Sequence, residues 1–160
     1  MIVIGYDGSD DARAAIEQAG KLLGGGRATV VVVWERFVEV LAHTGAGLGM
    51  VAPMVDYAEI DAATEESARQ RAEEGAKLAR DAGFEADATS RVRETSIAEA
   101  ILAEADAVTA DAIVLGTRGL TGVKSVVLGS VSHAVLHHAD RPVVVVPSPE
   151  VAKERAAHRQ

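Results

Sequence analysis

The stretch AIVLGTRGLTGVKSVVLGSVS, residues 112–132, decides the fold. Its first four residues are apolar and suit a short buried strand. Glycine then recurs in the pattern Gly116-x2-Gly119-x9-Gly129, and Ser130 opens a segment to Ala139 with Val131, Ala134 and Val135 at helical spacing. The order is therefore strand, glycine-punctuated loop, helix start. Glycines let main-chain N–H groups come close to a ligand without side-chain bulk. A helix start adds unpaired N–H donors and the positive end of the peptide dipole, so together they form a site for an anion. Ser130 and Ser132 can add hydroxyl donors, while Arg118 and Lys124 are the cations of the loop. A long surface turn with Ser130 as a simple N-cap is the plainer alternative.

Outward from this stretch, short β-branched runs alternate with longer amphipathic segments, the pattern of βα units around a parallel sheet. Residues 2–6 read as the first strand. Ser9 is an N-cap, with Asp10 and Asp11 well placed against the helix dipole. The following helix carries Ala12, Ala15, Ile16, Ala19, Leu22 and Leu23 on one stripe and stops at Gly24-Gly25-Gly26. Thr29 to Trp34 has the unbroken apolar character of a strand covered on both faces. Residues 35–55, with Gly45, Gly47, Gly49 and Pro53, read as a loop. A helix from about Asp56 to Ala82 presents Ala68, Ala72, Ala76 and Ala79 as a close-packing stripe, and Gly83 ends it. Ala86 to Arg93 is a further strand, and Ser96 with Glu99 gives a capping box for the helix that follows. Pro142 to Val146 is the last strand. The reading is a single domain over residues 1–147 and a tail, 148–160, that is frayed or a peripheral helix.

A formal net charge of -8 opposes a broad electrostatic grip on nucleic acid or anionic membrane. The absence of cysteine excludes disulfides and thiol chemistry. No apolar run approaches a bilayer span, and the expected location is the cytoplasm. His133 and His137 are four apart, but no third ligand accompanies them, and His138 reads as a partly buried histidine on the apolar stripe. Gly45-Ala46-Gly47-Leu48-Gly49 lacks the context of a dinucleotide fingerprint and reads as loop. No Ser-His-Asp order or carboxylate pair can be assigned, so hydrolysis lacks a named base.

The chain resembles the universal stress protein family, in its ATP-binding branch. The residues that carry the likeness are Asp7 after strand one, Val33-Trp34 ending strand two, the glycine motif, and Gly129 to His133 running on to Arg141-Pro142-Val143-Val144-Val145-Val146. The resemblance implies a Rossmann-like three-layer sandwich of the adenine nucleotide alpha hydrolase type, with a five-stranded parallel sheet in the order 3-2-1-4-5. It also implies an ATP site. Gly5, Tyr6 and Asp7 would line the adenosine end, Val33 would meet the adenine through its backbone, and Leu115 and Gly116 would hold the ribose side. Gly119, Gly129, Ser130, Val131 and Ser132 would hold the phosphates, beside Arg118. Asp7 would face phosphate through Mg²⁺, since a carboxylate there is otherwise repelled; an Asx turn before Ser9 is the alternative. ATP, ADP and cyclic AMP share the adenosine and stay open. The implied output is nucleotide-dependent stress regulation rather than turnover; a slow ATPase or adenylate-transferring enzyme, and a nucleotide-free interaction module, are the rivals. The uncharged edge strand Val143-Val144-Val145-Val146, bounded by prolines, implies a homodimer.

Overall fold

A computed structural model describes residues 1–44, 56–119 and 128–157. The elements run β1 (Ile2–Gly5), α1 (Asp10–Leu23), β2 (Arg27–Trp34), α2 (Phe37–Thr44), α3 (Tyr57–Asp81), β3 (Glu85–Val92), α4 (Ile97–Ala107), β4 (Ala112–Gly116), α5 (Ser130–His138), β5 (Val143–Val146) and α6 (Pro149–Ala157). The strands form one five-stranded sheet in the order β3-β2-β1-β4-β5. Every pairing is parallel, with Ile4 beside Val30 on one side and Val114 on the other. This is the expected sheet and strand order.

Side chains alternate across each strand, so the sheet has two cores. Ile2, Ile4, Val30, Val32 and Val114 pack with Ala12, Ala15, Ile16 and Ala19 of α1 and Ala68, Ala72, Ala76 and Ala79 of α3. On the opposite face, Val3, Val31, Ile113 and Leu115 pack with Ala98, Ile101 and Ala105 of α4 and Val135 of α5. Burying each of the larger aliphatic side chains is worth about 1.5–3 kcal/mol. The alanine stripe of α3 does what its spacing predicts. It brings the helix so near that a Cβ on Gly75 would lie 2.7 Å from Cδ1 of Tyr6.

Local chemistry sets the helix starts. Ser9 Oγ accepts from the amide of Ala12 at 3.2 Å, Asp56 Oδ1 from those of Ala58 and Glu59, and Ser148 Oγ from that of Val151. The capping box is half formed. Ser96 Oγ accepts from the Glu99 amide at 3.1 Å, but the Glu99 carboxylate takes the hydroxyl of Thr95 instead of closing on Ser96.

Three expectations are corrected. Residues 37–44, read as loop, form α2, whose first amide donates to Asp61 Oδ1 at 2.7 Å. That cap comes from α3, 24 residues away, beyond the reach of a local pattern. Leu22 and Leu23 leave the buried stripe and are 69% and 41% exposed. Gly20 makes the close contact at that end of α1, where a Cβ would meet the carbonyl oxygen of Ala82 at 2.5 Å. His138 is exposed rather than half buried, because the inward face of α5 is Ser132 and Val135. The tail forms a peripheral helix, α6, with Val151 buried. The glycines at 45, 47 and 49 and Lys124 lie outside the described residues.

Candidate functional site

In the order 3-2-1-4-5 the chain connections leave β1 and β4 in opposite directions, which opens a crevice at their carboxyl ends. A cavity of about 420 Å³ lies there. All twelve residues selected from the sequence line it: Gly5, Tyr6, Asp7, Val33, Leu115, Gly116, Arg118, Gly119, Gly129, Ser130, Val131 and Ser132. Among the described residues, Ala12, Val31, Val32, Arg71, Ile97 and Ile101 join them in the lining.

The floor is main chain from the strand ends. Tyr6 N donates to Val31 O at 2.9 Å, which closes the pairing of β1 with β2. Two residues further on, Val33 presents its N–H and C=O on the same side of β2, past the end of β1. That edge offers one donor and one acceptor to a planar ligand. The Tyr6 side chain belongs to the core instead. Its ring packs against α3, its hydroxyl donates to Glu74 Oε1 at 2.9 Å, and burial followed by that hydrogen bond pushes its pKa up to about 12.

The glycine loop is anchored by contacts that residue spacing does not announce. A Cβ on Gly116 would lie 2.7 Å from the carbonyl carbon of Asp11, so only glycine lets β4 pass the start of α1. Asp11, 6% exposed, accepts hydrogen bonds from the Thr117 hydroxyl and, at 3.0 Å, from the Arg118 amide. From the sequence, Asp11 is expected only to favour the helix dipole. Its place on the same stripe as Ala15 and Ala19 was the available signal, because a carboxylate on a buried stripe requires donors. Ser132 Oγ, also buried, donates to Gly116 O at 2.7 Å, and Gly129 N donates to Thr117 O at 2.7 Å. Two expected ligand donors, the Gly129 amide and the Ser132 hydroxyl, therefore hold the loop together.

The remaining donors sit at the start of α5. The first intrahelical bond runs from His133 N to Gly129 O, leaving the amides of Ser130, Val131 and Ser132 ahead of it. Among the described residues none of these three amides meets an acceptor, and they open on the cavity at the positive end of the helix. Gly129, rather than Ser130, occupies the N-cap position and supplies no side-chain cap. Ser130 as a mere cap is thereby excluded.

The charged groups divide into two sets. Asp7 Oδ1 accepts from Ser9 N at 2.9 Å, which is the Asx turn, and Oδ2 points at Gly119, where a Cβ would lie only 2.7 Å away. Arg118 reaches across to Glu154 of α6, 3.5 Å away. Arg71 of α3 has its Cδ 3.5 Å from the Cβ position of Gly8, so its stem crosses the turn that carries Asp7. Among the described residues no group of three or more acidic, histidine or cysteine side chains could hold a metal ion, and no helix is long and apolar enough to cross a membrane.

The family model of the universal stress protein family matches residues 1–147. A curated relative from Thermus aquaticus, the universal stress protein in the QAH/OAS sulfhydrylase 3' region, is 35% identical over 91% of this chain and 96% of its own length. Among solved structures, the hypothetical protein MJ0577 superposes with a TM-score of 0.71 at 24% identity, over 91% of this chain and 94% of the other. The universal stress protein from Archaeoglobus fulgidus in complex with dAMP superposes with a TM-score of 0.54 at 25% identity, over 91% and 95% of the two chains.

Proposed function

The chain belongs to the universal stress protein family, and from that premise we propose that it binds ATP in the crevice between β1 and β4 and acts in stress regulation through its nucleotide-bound state. The observation that carries this reading is the trio of amides of Ser130, Val131 and Ser132, which meet no acceptor among the described residues and face a cavity roofed by Gly119 and Gly129. Phosphate oxygens are the acceptors such a helix start takes. Adenine fits the main-chain edge of Val33, and the ribose lies over Leu115 and Gly116. The Archaeoglobus fulgidus universal stress protein, solved in complex with dAMP, supports an adenine nucleotide as the class of ligand.

Mg²⁺ fits one carboxylate together with ligand phosphates, and its coordination shell commonly includes only one or two protein carboxylates. Asp7, whose Oδ2 stands beside Gly119 of the loop, is the residue that would hold it. The ion would offset phosphate charge next to that carboxylate. The crevice walls hold Asp7 as their only carboxylate among the described residues, and we read binding, not rapid turnover, as the output. The place of action is the cytoplasm, and the working form is a homodimer paired through Val143–Val146.

Calorimetry with Mg·ATP and with adenosine tests the assignment. The native chain should bind both, and Asp7→Ala should weaken Mg·ATP by about tenfold or more while changing adenosine little. Absence of Mg·ATP binding to the native chain would reject the reading. Equal losses for both ligands would restrict Asp7 to its turn.

A further inference from the structure

The glycine loop and α5 supply main-chain donors but little charge. A nucleotide polyphosphate brings several negative charges into a crevice that already holds Asp7. Arg118, the loop cation within the described residues, has its guanidinium directed to Glu154 of α6. Arg71 differs from it. It stands on the opposite wall, on the α1–α3 side of the sheet, and lines both the nucleotide crevice and a neighbouring cavity of about 520 Å³ bordered by Trp34, Val40 and Ile60. Its Cδ and Nε lie 3.5 and 3.8 Å from the Cβ position of Gly8, one residue from Asp7, whose own carboxylate abuts Gly119 of the loop. Gly8 has φ +86°, and the lack of a side chain there leaves the path of the arginine open.

Arg71 as a residue is half-buried, and its guanidinium makes no hydrogen bond or ion pair with the described residues; it acts through space on Glu74, one helical turn along α3, helping to lower that carboxyl's pKa. Arg13 and the Tyr6 hydroxyl already occupy Glu74 Oε1, at 2.6 and 2.9 Å. A guanidinium has five N–H donors in a planar fork suited to phosphate. An anionic ligand in the crevice would give it charge-assisted hydrogen bonds, the stronger kind.

We propose that Arg71 is a ligand-binding residue of the nucleotide site, the cation that reaches across from α3 to the phosphates and makes the crevice select phosphorylated adenosine over adenosine. This rests on the nucleotide reading of the crevice given above. It adds a contact from outside the glycine motif and divides recognition between two walls, with main-chain donors on α5 and a formal charge on α3.

The test is calorimetry of ATP and adenosine, at low and raised salt, with the native chain and with Arg71→Gln and Arg71→Lys. Arg71→Gln should weaken ATP about tenfold or more, leave adenosine within about twofold, and flatten the salt dependence of ATP binding; Arg71→Lys should recover part of the loss. Unchanged ATP affinity in Arg71→Gln, or equal loss of ATP and adenosine, would overturn the proposal while native ATP binding kept the site reading intact. A native chain that binds adenosine but not ATP would overturn both.

Discussion

Gly116 stands where a side chain has no room, since its Cβ position lies 2.7 Å from the backbone of Asp11 and 2.8 Å from that of Ala12. Backbone cannot swing aside as the end of a leucine can, so the constraint falls on the turn from β4 into the loop. Asp11 fastens that turn from the other side through the Thr117 hydroxyl and the Arg118 amide. Removing the carboxylate leaves both donors in a buried place without an acceptor, at a cost of about 1–3 kcal/mol. Asp11→Ala should accordingly lower the urea midpoint and also weaken ATP, because the loop that positions the α5 amides loses its anchor. Asp11→Asn retains one acceptor oxygen and should lose less of each. Denaturation and calorimetry on the two variants check this, and an Asp11→Ala protein with native stability would contradict it.

At the scale of elements, β1, α1 and α3 meet in one cluster. The Tyr6 hydroxyl donates to Glu74 Oε1, Arg13 pairs with the same oxygen at 2.6 Å, and the Arg13 guanidinium lies 5.9 Å from the Tyr6 ring centre. Burial first, then the bond to Glu74, holds the phenol at about 12, above its ordinary value near 10. The fold therefore favours the neutral phenol. That contribution to stability is complete below about pH 10 and is lost as pH rises from 10 towards 12. The stability difference between the native chain and Tyr6→Phe should be level in the neutral range and should shrink over that alkaline window, as read by urea denaturation. A difference that does not change with pH would contradict the assignment. Elements governed by local chemistry were legible in the sequence: Ser9 and Ser96 cap where their spacing predicts, and α3 starts beside Asp56 as expected, with Asp56 itself as its cap. Contacts distant in sequence were not. The Asp61 cap of α2, the Asp11 clamp and the Glu74 partner of Tyr6 each join residues that no local window holds together. Among the described residues, the glycine motif marks those it contributes to the cavity wall, but not which of its donors the loop itself consumes.

For the whole molecule, the sheet ends at β5, which pairs with β4 on one side only, and Val143, Val144 and Val145 stay partly exposed. An uncharged, β-branched edge is a pairing template, and prolines at 142 and 147 limit its length. The homodimer proposed above uses this edge. Val144→Lys should shift the chain to monomer in light scattering and leave ATP affinity intact, because the crevice lies on the far side of β4; a native chain that is monomeric at micromolar concentration would contradict the dimer. In the proposed site the phosphates sit on the start of α5. Titration of ATP into the ¹⁵N-labelled chain, followed by amide NMR, tests it most directly. The amides of Ser130, Val131 and Ser132 should shift saturably, and more than that of Gly129, whose N–H stays on Thr117 O. Unmoved α5 amides at saturating ATP, or shifts confined to another part of the chain, would contradict it.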